Sequence, residues 1–215
     1  PQQRSSAASD VYKRQNHYHG LDNEVAHIRK DVSFDKAKSG FMVADPLTLY
    51  DCCPTSDGAS CVILAADHVV SQFTEDPVWI KSSAAASDYL ALHDRPSITQ
   101  LMATQKAAKR AYSMAGISAE DVDIAEVHDC FTIAELFATE DLGFTERGTG
   151  GHFARENRGR RNEGTTCINP SGGLKSKGHP LGATGTGQTV EIFKQLRNEV
   201  ESVSYTHLRA HETYT

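Results

Sequence analysis

Two short polar strings, each placed where a predicted strand gives way to a helix, frame the fold of this chain. Residues 128–131 (HDCF) follow the apolar run 124–127 and precede Thr132 and Glu135, which are spaced as a capping box. Residues 178–180 (GHP) lie in a glycine-dense stretch that leads into another helical pattern. Such strand–turn–helix passages predict a layered α/β fold. Ligands gather at the carboxyl ends of strands in open α/β sheets, so both strings are candidate sites.

Hydrophobic spacing predicts the neighbouring elements. Residues 60–66 and 78–80 are short apolar runs typical of buried strands. Apolar residues three, four and seven apart predict a helix over 97–115, which begins with a capping box at Ser97 and Gln100. We expect Gly116 to end this helix, because glycine adopts the left-handed conformation of a helix stop.

The remaining segments are polar. Residues 144–165, rich in Gly, Arg and Glu, are predicted to form an exposed loop whose run 158–161 is a solvated surface. Residues 1–15 and 202–215 carry no pattern and resemble translated adapter sequence. We therefore expect a non-native or disordered tail at each end of the chain.

Composition narrows the class of protein. The chain has 215 residues, 39% of them hydrophobic and 23% charged, as in ordinary globular domains. Its net charge of −6 argues against nucleic-acid binding, and no apolar run approaches the roughly 20 residues of a membrane span. The five cysteines match no disulfide framework and no zinc site, which favours a reducing, cytoplasmic location and predicts no metal.

The two turns carry groups that can handle protons. A helix N-terminus can lower a thiol pKa, so Cys130 is a candidate reactive thiol; the alternative is a small buried side chain. His128 is suited to hydrogen-bond an oxyanion, or it is a satisfied histidine at a strand end. His179 is constrained by Pro180, and Gly178 permits close approach of another group.

Other motifs are incomplete. Gly173 and Gly178 have the spacing of a phosphate-binding loop, but His179 replaces the lysine, and Val190 replaces the third glycine of a dinucleotide fingerprint. Nucleotide hydrolysis and hydride transfer are therefore poorly supported. Cys52 and Cys53 are predicted to be structural, and Cys61 and Cys167 are predicted to lie in the core. We assign no role to His17 and His19.

Four strings together resemble one enzyme family. EVHDCFTIAEL (126–136), NPSGGLKSKGHPLGATG (169–185), DCCPTSDGAS (51–60) and ALHDR (91–95) are similar to thiolases of the sterol-carrier-protein type and their bacterial and archaeal acetyl-CoA acetyltransferase relatives. The resemblance implies an incomplete thiolase-like α/β fold. Residues 16–76 would be the end of the N-terminal thiolase domain, and residues 77–201 a truncated C-terminal domain.

The resemblance also implies a reaction, the thiolytic cleavage of 3-oxoacyl-CoA or the condensation of two acyl-CoA molecules. His179 would activate the nucleophile, His128 would hold an oxyanion-hole water, and Cys130 would be the acid/base. Coenzyme A is then a substrate, and no cofactor is expected. Three residues would line the pantetheine channel: Ser171, Gly172 and Gly173.

The resemblance further implies that the nucleophilic cysteine belongs to an N-terminal segment, so we expect this chain to be inactive alone. The full-length protein is expected to form a homodimer or tetramer, with a small zinc-ribbon/OB-fold protein as a further partner. Two alternatives are a non-catalytic protein that binds CoA esters or lipids and a relative of steroid side-chain aldolases. Cys130 and His179 favour acyl transfer over the aldolase, for which tyrosines are expected. A purely structural domain is the third alternative.

Overall fold

The computed structural model describes residues 7–200. Its helices are α1 (Ala7–His19), α2 (Phe34–Lys38), α3 (Asp67–Val70), α4 (Met102–Ala115), α5 (Thr132–Asp141), α6 (Gly150–Arg155), α7 (Gly173–Ser176) and α8 (Thr184–Leu196). Its strands are β1 (Met42–Ala44), β2 (Leu47–Thr48), β3 (Ile124–Ala125) and β4 (Cys167–Ile168). Single 3-10 turns occupy Leu49–Asp51, Leu92–Asp94 and Ala119–Asp121. Within residues 7–200, no helix is both long enough and apolar enough to cross a bilayer.

The pair β3–β4 positions both candidate turns. The two strands run parallel, with Ile124 opposite Cys167 and Ala125 opposite Ile168. The strand predicted over 124–127 is thus confirmed in its first half, and Cys167 is buried in β4 as predicted. Because parallel neighbours end at the same edge, the segments that follow β3 and β4 emerge side by side. The other sheet is a separate antiparallel pair, β1–β2.

A small apolar core supports this pair from one side. It is formed by five buried side chains drawn from β4, α5, α6 and the adjoining turns: Val127, Ala138, Phe144, Phe153 and Ile168. The described residues therefore combine helices with short sheets, in line with the predicted α/β class.

The N-terminal helix corrects one expectation. Residues 1–15 are predicted as a tail, yet α1 begins at Ala7 and buries Tyr12 and Lys13 completely. The ammonium of Lys13 lies 3.1 Å from Asp10 and 3.0 Å from Asp51, and such pairing lets a charged side chain lie inside a protein. Residues 1–6 and 201–215 lie outside the described part of the chain, and the non-native origin of both ends stays a prediction.

The helix predicted over 97–115 begins later, at Met102. Its capping box does not form; instead, the Asp141 carboxylate of α5 accepts hydrogen bonds from Leu101 N (2.7 Å) and Gln105 Nε2 (2.7 Å). A carboxylate from a neighbouring helix thus accepts one of the free backbone N–H groups at the start of α4. The predicted stop at Gly116 is confirmed by its φ of 71°.

The helix predicted after the HDCF string is confirmed as α5, although its capping box is not formed. Thr132 is the first helical residue, and its hydroxyl donates to Asp51 Oδ1 at 3.3 Å. Phe131 occupies the N-cap without a side-chain hydrogen bond. The helical pattern predicted after the GHP string is confirmed as α8, which ends at Leu196.

The predicted strands over 60–66 and 78–80 are wrong for the described structure. Neither segment forms a strand, Ile63 is 91% exposed, and Cys61, predicted to be core, is exposed as well. An apolar run becomes a strand only when a neighbour accepts its backbone hydrogen bonds. No strand within residues 7–200 lies beside either segment.

The segment 144–165 is more structured than predicted. It contains α6, whose Phe153 and Ala154 are fully buried. Arg161 is also buried, and its guanidinium lies 2.9 Å from Asp22, so the run 158–161 is not simply a solvated surface. The apolar pair inside α6 provides the face that packs into the core.

Candidate active site

The two candidate turns bring their histidines together. The rings of His128 and His179 lie 5.0 Å apart between centroids, and their planes meet edge to face at 79°. His128 follows β3, and His179 lies between α7 and α8. The fold therefore joins two side chains that are 51 residues apart in the sequence.

A third segment, residues 52–55 (CCPT), runs between the two turns. Its backbone forms an antiparallel bridge from Cys52 to Phe131 and a parallel bridge from Thr55 to His179. The Cys53 N–H donates to the Cys130 carbonyl at 3.0 Å. The sequence predicts a structural role for Cys52 and Cys53. In the structure their backbone lies between the two turns of the site and sets the distance between them.

Asp129 connects the first turn to the second through hydrogen bonds. This role was not predicted from the sequence. Its buried carboxylate accepts a hydrogen bond from Leu174 N at 2.7 Å, and Lys175 Nζ donates to the Asp129 carbonyl at 2.8 Å. Gly173 has φ of 60°, and a Cβ there would lie 2.4 Å from Asp129 Oδ2. A glycine is therefore required for this contact. The signal in the sequence was an acidic residue inside HDCF and a lysine inside GGLK.

Val127, the residue before His128, is also held by hydrogen bonds. Asn169 Oδ1 accepts a hydrogen bond from Val127 N at 2.8 Å, and Gln188 Nε2 donates to the Val127 carbonyl at 2.9 Å. Asn169 follows β4, while Gln188 belongs to α8. Both chain neighbours of His128 are thus fixed by the segment that carries His179.

His179 is positioned by its own neighbours. Gly178 has φ of 107°, and a Cβ there would lie 2.7 Å from Ser56 Oγ, which confirms the close approach predicted at this glycine. His179 Nδ1 lies 2.8 Å from Thr184 Oγ1 in the first turn of α8. Both the backbone and the ring of His179 are therefore constrained.

Burial controls the charge state of the site. It raises the pKa of the Cys130 thiol above its ordinary value, although the Phe131 N–H acts in the opposite direction. The lowered pKa expected from the helix N-terminus is thus wrong, because desolvation outweighs the donor. Burial, and next the charge of His179, lowers the pKa of His128. At neutral pH these shifts keep the Cys130 thiol protonated and the His128 imidazole neutral, so each can donate a hydrogen bond.

The three residues predicted to bind pantetheine are all buried. Ser171 donates through its N–H (2.9 Å) and its hydroxyl (2.8 Å) to the carboxylate of Glu126, whose pKa burial raises to about 6. Gly172 is backed by Gly20, since a Cβ on Gly172 would lie 2.7 Å from the Gly20 Cα. Ser171, Gly172 and Gly173 therefore hold the glycine loop in place, and their role in binding substrate stays a prediction.

A cleft of about 530 Å³ borders the second turn. It is lined by Ser56, Gly178, Pro180 and Thr184 and reaches Lys194, but neither His128 nor Cys130 lines it. His179 itself does not line the cleft either, so the cleft and the histidine pair share only the 178–184 segment.

Comparison with known proteins identifies related sequences. The family described as Thiolase C-terminal domain-like matches residues 84–210. The acetyl-CoA acetyltransferase of Methanothermobacter thermautotrophicus is 48% identical over 86% of this chain and 48% of its own length. Sterol carrier protein 2 of Oryctolagus cuniculus is 40% identical over 86% of this chain and 34% of its own. The chain thus spans about half or less of the length of these curated relatives.

A solved structure shares the fold. The chain titled "Ltp2-ChsH2(DUF35) aldolase" superposes with a TM-score of 0.78 over 90% of this chain and 52% of that chain, at 20% sequence identity. At this identity the likeness concerns the fold alone. The family match over residues 84–210, more than half of the chain, leads to one conclusion: the chain belongs to the thiolase C-terminal domain-like family.

Proposed function

We propose that this chain supplies the acid/base half of a thiolase-type acyl-CoA acyltransferase. Such an enzyme cleaves 3-oxoacyl-CoA with free CoA or condenses two acyl-CoA molecules. The observation that carries the proposal is the 5.0 Å approach of the His128 and His179 rings, with Cys130 on the same turn as His128. Coenzyme A is a substrate in this proposal, and no resident cofactor takes part.

Each residue receives a role that its surroundings support. His179 takes the proton of the attacking thiol, which makes the thiol a better nucleophile. Neutral His128 donates a hydrogen bond to the thioester oxygen, directly or through a water, as negative charge develops there. Cys130 exchanges a proton with the second substrate. A thiol and the thiol of CoA have similar proton affinities, so this exchange runs in either direction at little cost.

The aldolase alternative has weaker support. Its observation is the structural neighbour titled as an aldolase, whose 20% identity speaks only for the fold. Cys130 and His179 stand where the family resemblance leads us to expect tyrosines in an aldolase. Acyl transfer therefore explains more of the residues at the histidine pair.

The test measures whether CoA compounds reach the site. The purified 215-residue chain is alkylated with iodoacetamide, and the modification of Cys130 is followed by peptide mass spectrometry with and without acetoacetyl-CoA. We expect the substrate to slow alkylation of Cys130 several-fold in the wild-type chain and less in His179→Ala. A small free thiol in the same tube reports any direct effect on the reagent.

Unchanged alkylation of Cys130 at millimolar acetoacetyl-CoA would overturn the proposal. Turnover of acetoacetyl-CoA is measured in parallel, and we expect none from this chain alone. Turnover that disappears in His179→Ala would support acyl transfer and overturn only the expected inactivity.

A further inference from the structure

The Thr184 hydroxyl has two partners and one hydrogen. Its Oγ1 lies 3.0 Å from the Pro180 carbonyl oxygen and 2.8 Å from His179 Nδ1. The Thr184 hydroxyl donates to the Pro180 carbonyl, which also accepts the backbone N–H groups of Ala183 (2.8 Å) and Thr184 (2.9 Å). If the hydroxyl hydrogen stays on Pro180, the contact with His179 runs the other way, with Nδ1–H donating to Thr184 Oγ1.

We infer that Thr184 is a positioning residue that holds His179 in the Nδ1–H tautomer and so leaves Nε2 as the nitrogen that accepts a proton. A neutral imidazole carries its hydrogen on one nitrogen, and the hydrogen bond made by the other decides which. The assignment of the tautomer rests on the hydrogen bonds alone. Its meaning for catalysis rests on the proposed function, in which His179 is the base.

The surroundings of Thr184 suit this task. Thr184 is only 5% exposed, although it also lines the 530 Å³ cleft. Thr184 opens α8, and its backbone N–H donates to the Pro180 carbonyl at 2.9 Å, which fixes the turn between the two residues. The bridge from Thr55 to His179 fixes the backbone on the opposite side. The donor direction is therefore built into a rigid turn.

The inference adds a specific advantage for proton transfer. When Nε2 takes a proton, Nδ1–H continues to donate to Thr184, so neither the ring nor the hydroxyl must reorient. A site whose hydrogen bonds already match the charged form needs little reorganisation during the reaction. Without an acceptor at Nδ1, the ring is free to place its hydrogen on Nε2, which removes the base.

Nitrogen NMR of the 215-residue chain labelled with ¹⁵N-histidine tests the tautomer directly. Spectra are recorded near pH 9, well above the ordinary imidazole pKa of about 6.5, and His179 is assigned by its loss in His179→Ala. We expect Nδ1 at the shift of a protonated nitrogen and Nε2 at that of an unprotonated one. The opposite pattern in the wild-type chain would overturn the inference.

Variants separate positioning from folding. We expect Thr184→Ser to keep the wild-type pattern and Thr184→Val, of similar shape, to move hydrogen towards Nε2. Thr189→Val is the matched control, since Thr189 Oγ1 also donates to the carbonyl four residues earlier in α8 (Gly185, 3.1 Å) but contacts no histidine. A Thr184→Val chain with the wild-type pattern would also overturn the inference. The alkylation test of the proposed function does not depend on this pattern, so either proposal can fail alone.

Discussion

The Asp129 carboxylate accepts a hydrogen bond from the backbone N–H of Leu174 at 2.7 Å. This contact joins the turn that carries His128 and Cys130 to the helix that precedes His179. Lys175 strengthens the junction, because its ammonium lies 3.5 Å from the same carboxylate and both side chains are buried. The approach of the two histidines therefore depends on a charged contact beneath them.

Asp129→Asn should be strongly destabilising, because it leaves the Lys175 ammonium without its nearest counter-charge in the interior. Breaking one side of a buried pair costs about 3–5 kcal/mol. The free energy of unfolding in urea measures the change. Glu163→Gln is the control, since it removes an exposed pair with Arg160 and should cost at most about 1 kcal/mol. Equal losses in the two variants would contradict the role we give Asp129.

Gly178→Ala should both destabilise the chain and displace His179. The backbone at Gly178 has φ of 107°, and the new methyl group would lie 2.7 Å from Ser56 Oγ. Such a conformation costs an L-residue about 1–3 kcal/mol. Gly182→Ala has open space around it and should change stability by less than about 1 kcal/mol. The midpoint of thermal unfolding is measured for both variants. Equal midpoints would mean that the close approach at Gly178 is absent in solution.

Acid should destabilise the chain through His19. Burial lowers the pKa of His19 to about 3, so below about pH 6.5 the unfolded chain binds a proton that the folded chain does not. The contribution of the neutral His19 ring to the free energy of unfolding is fully present above about pH 6.5. It falls as the pH decreases, by at most about 1.4 kcal/mol per pH unit. His19→Gln should reduce this slope between about pH 6 and pH 4, and the exposed His93→Gln should not. Parallel slopes in all three chains, measured by urea unfolding, would contradict the expectation.

Alkylation of Cys130 should require alkaline pH. Burial raises the pKa of its thiol, so the thiolate is scarcer at neutral pH than in a free cysteine, whose pKa is about 8.5. The rate of iodoacetamide modification, followed peptide by peptide, should reach half of its maximum above that value. Exposed Cys61 provides the internal reference. A midpoint for Cys130 below 8.5 would restore the helix N-terminus as the dominant influence.

Local signals in the sequence predicted the parts of the site that depend on neighbours along the chain. The apolar run before His128 became β3, the segment after it became α5, and Gly178 received its close contact. These features follow from spacing, turn residues and backbone freedom, which a sequence displays directly. The meeting of the two histidines depends on the parallel pairing of β3 and β4, which no local pattern in the sequence predicted.

Features that depend on distant partners could not be read in this way. Lys13 is buried because Asp51 lies beside it, and α4 begins at Met102 because Asp141 caps it from another helix. Conversely, residues 60–66 have the pattern of a strand, but the described structure offers them no pairing neighbour. No local signal in the sequence distinguishes Thr184 from the other threonines; its distances to His179 and Pro180 do so.

Residues 52–55 determine how far apart the two reactive turns stand, and they do so with main-chain atoms. The width of the gap is therefore independent of the chemical groups that project into it. Replacing either imidazole or the thiol leaves these backbone bridges intact. Proteins built on this arrangement can therefore change the reactive side chains without changing the backbone that spaces them. Inserting or deleting one residue in the 52–55 segment, in contrast, would shift the two turns relative to each other and misalign both imidazoles and the thiol.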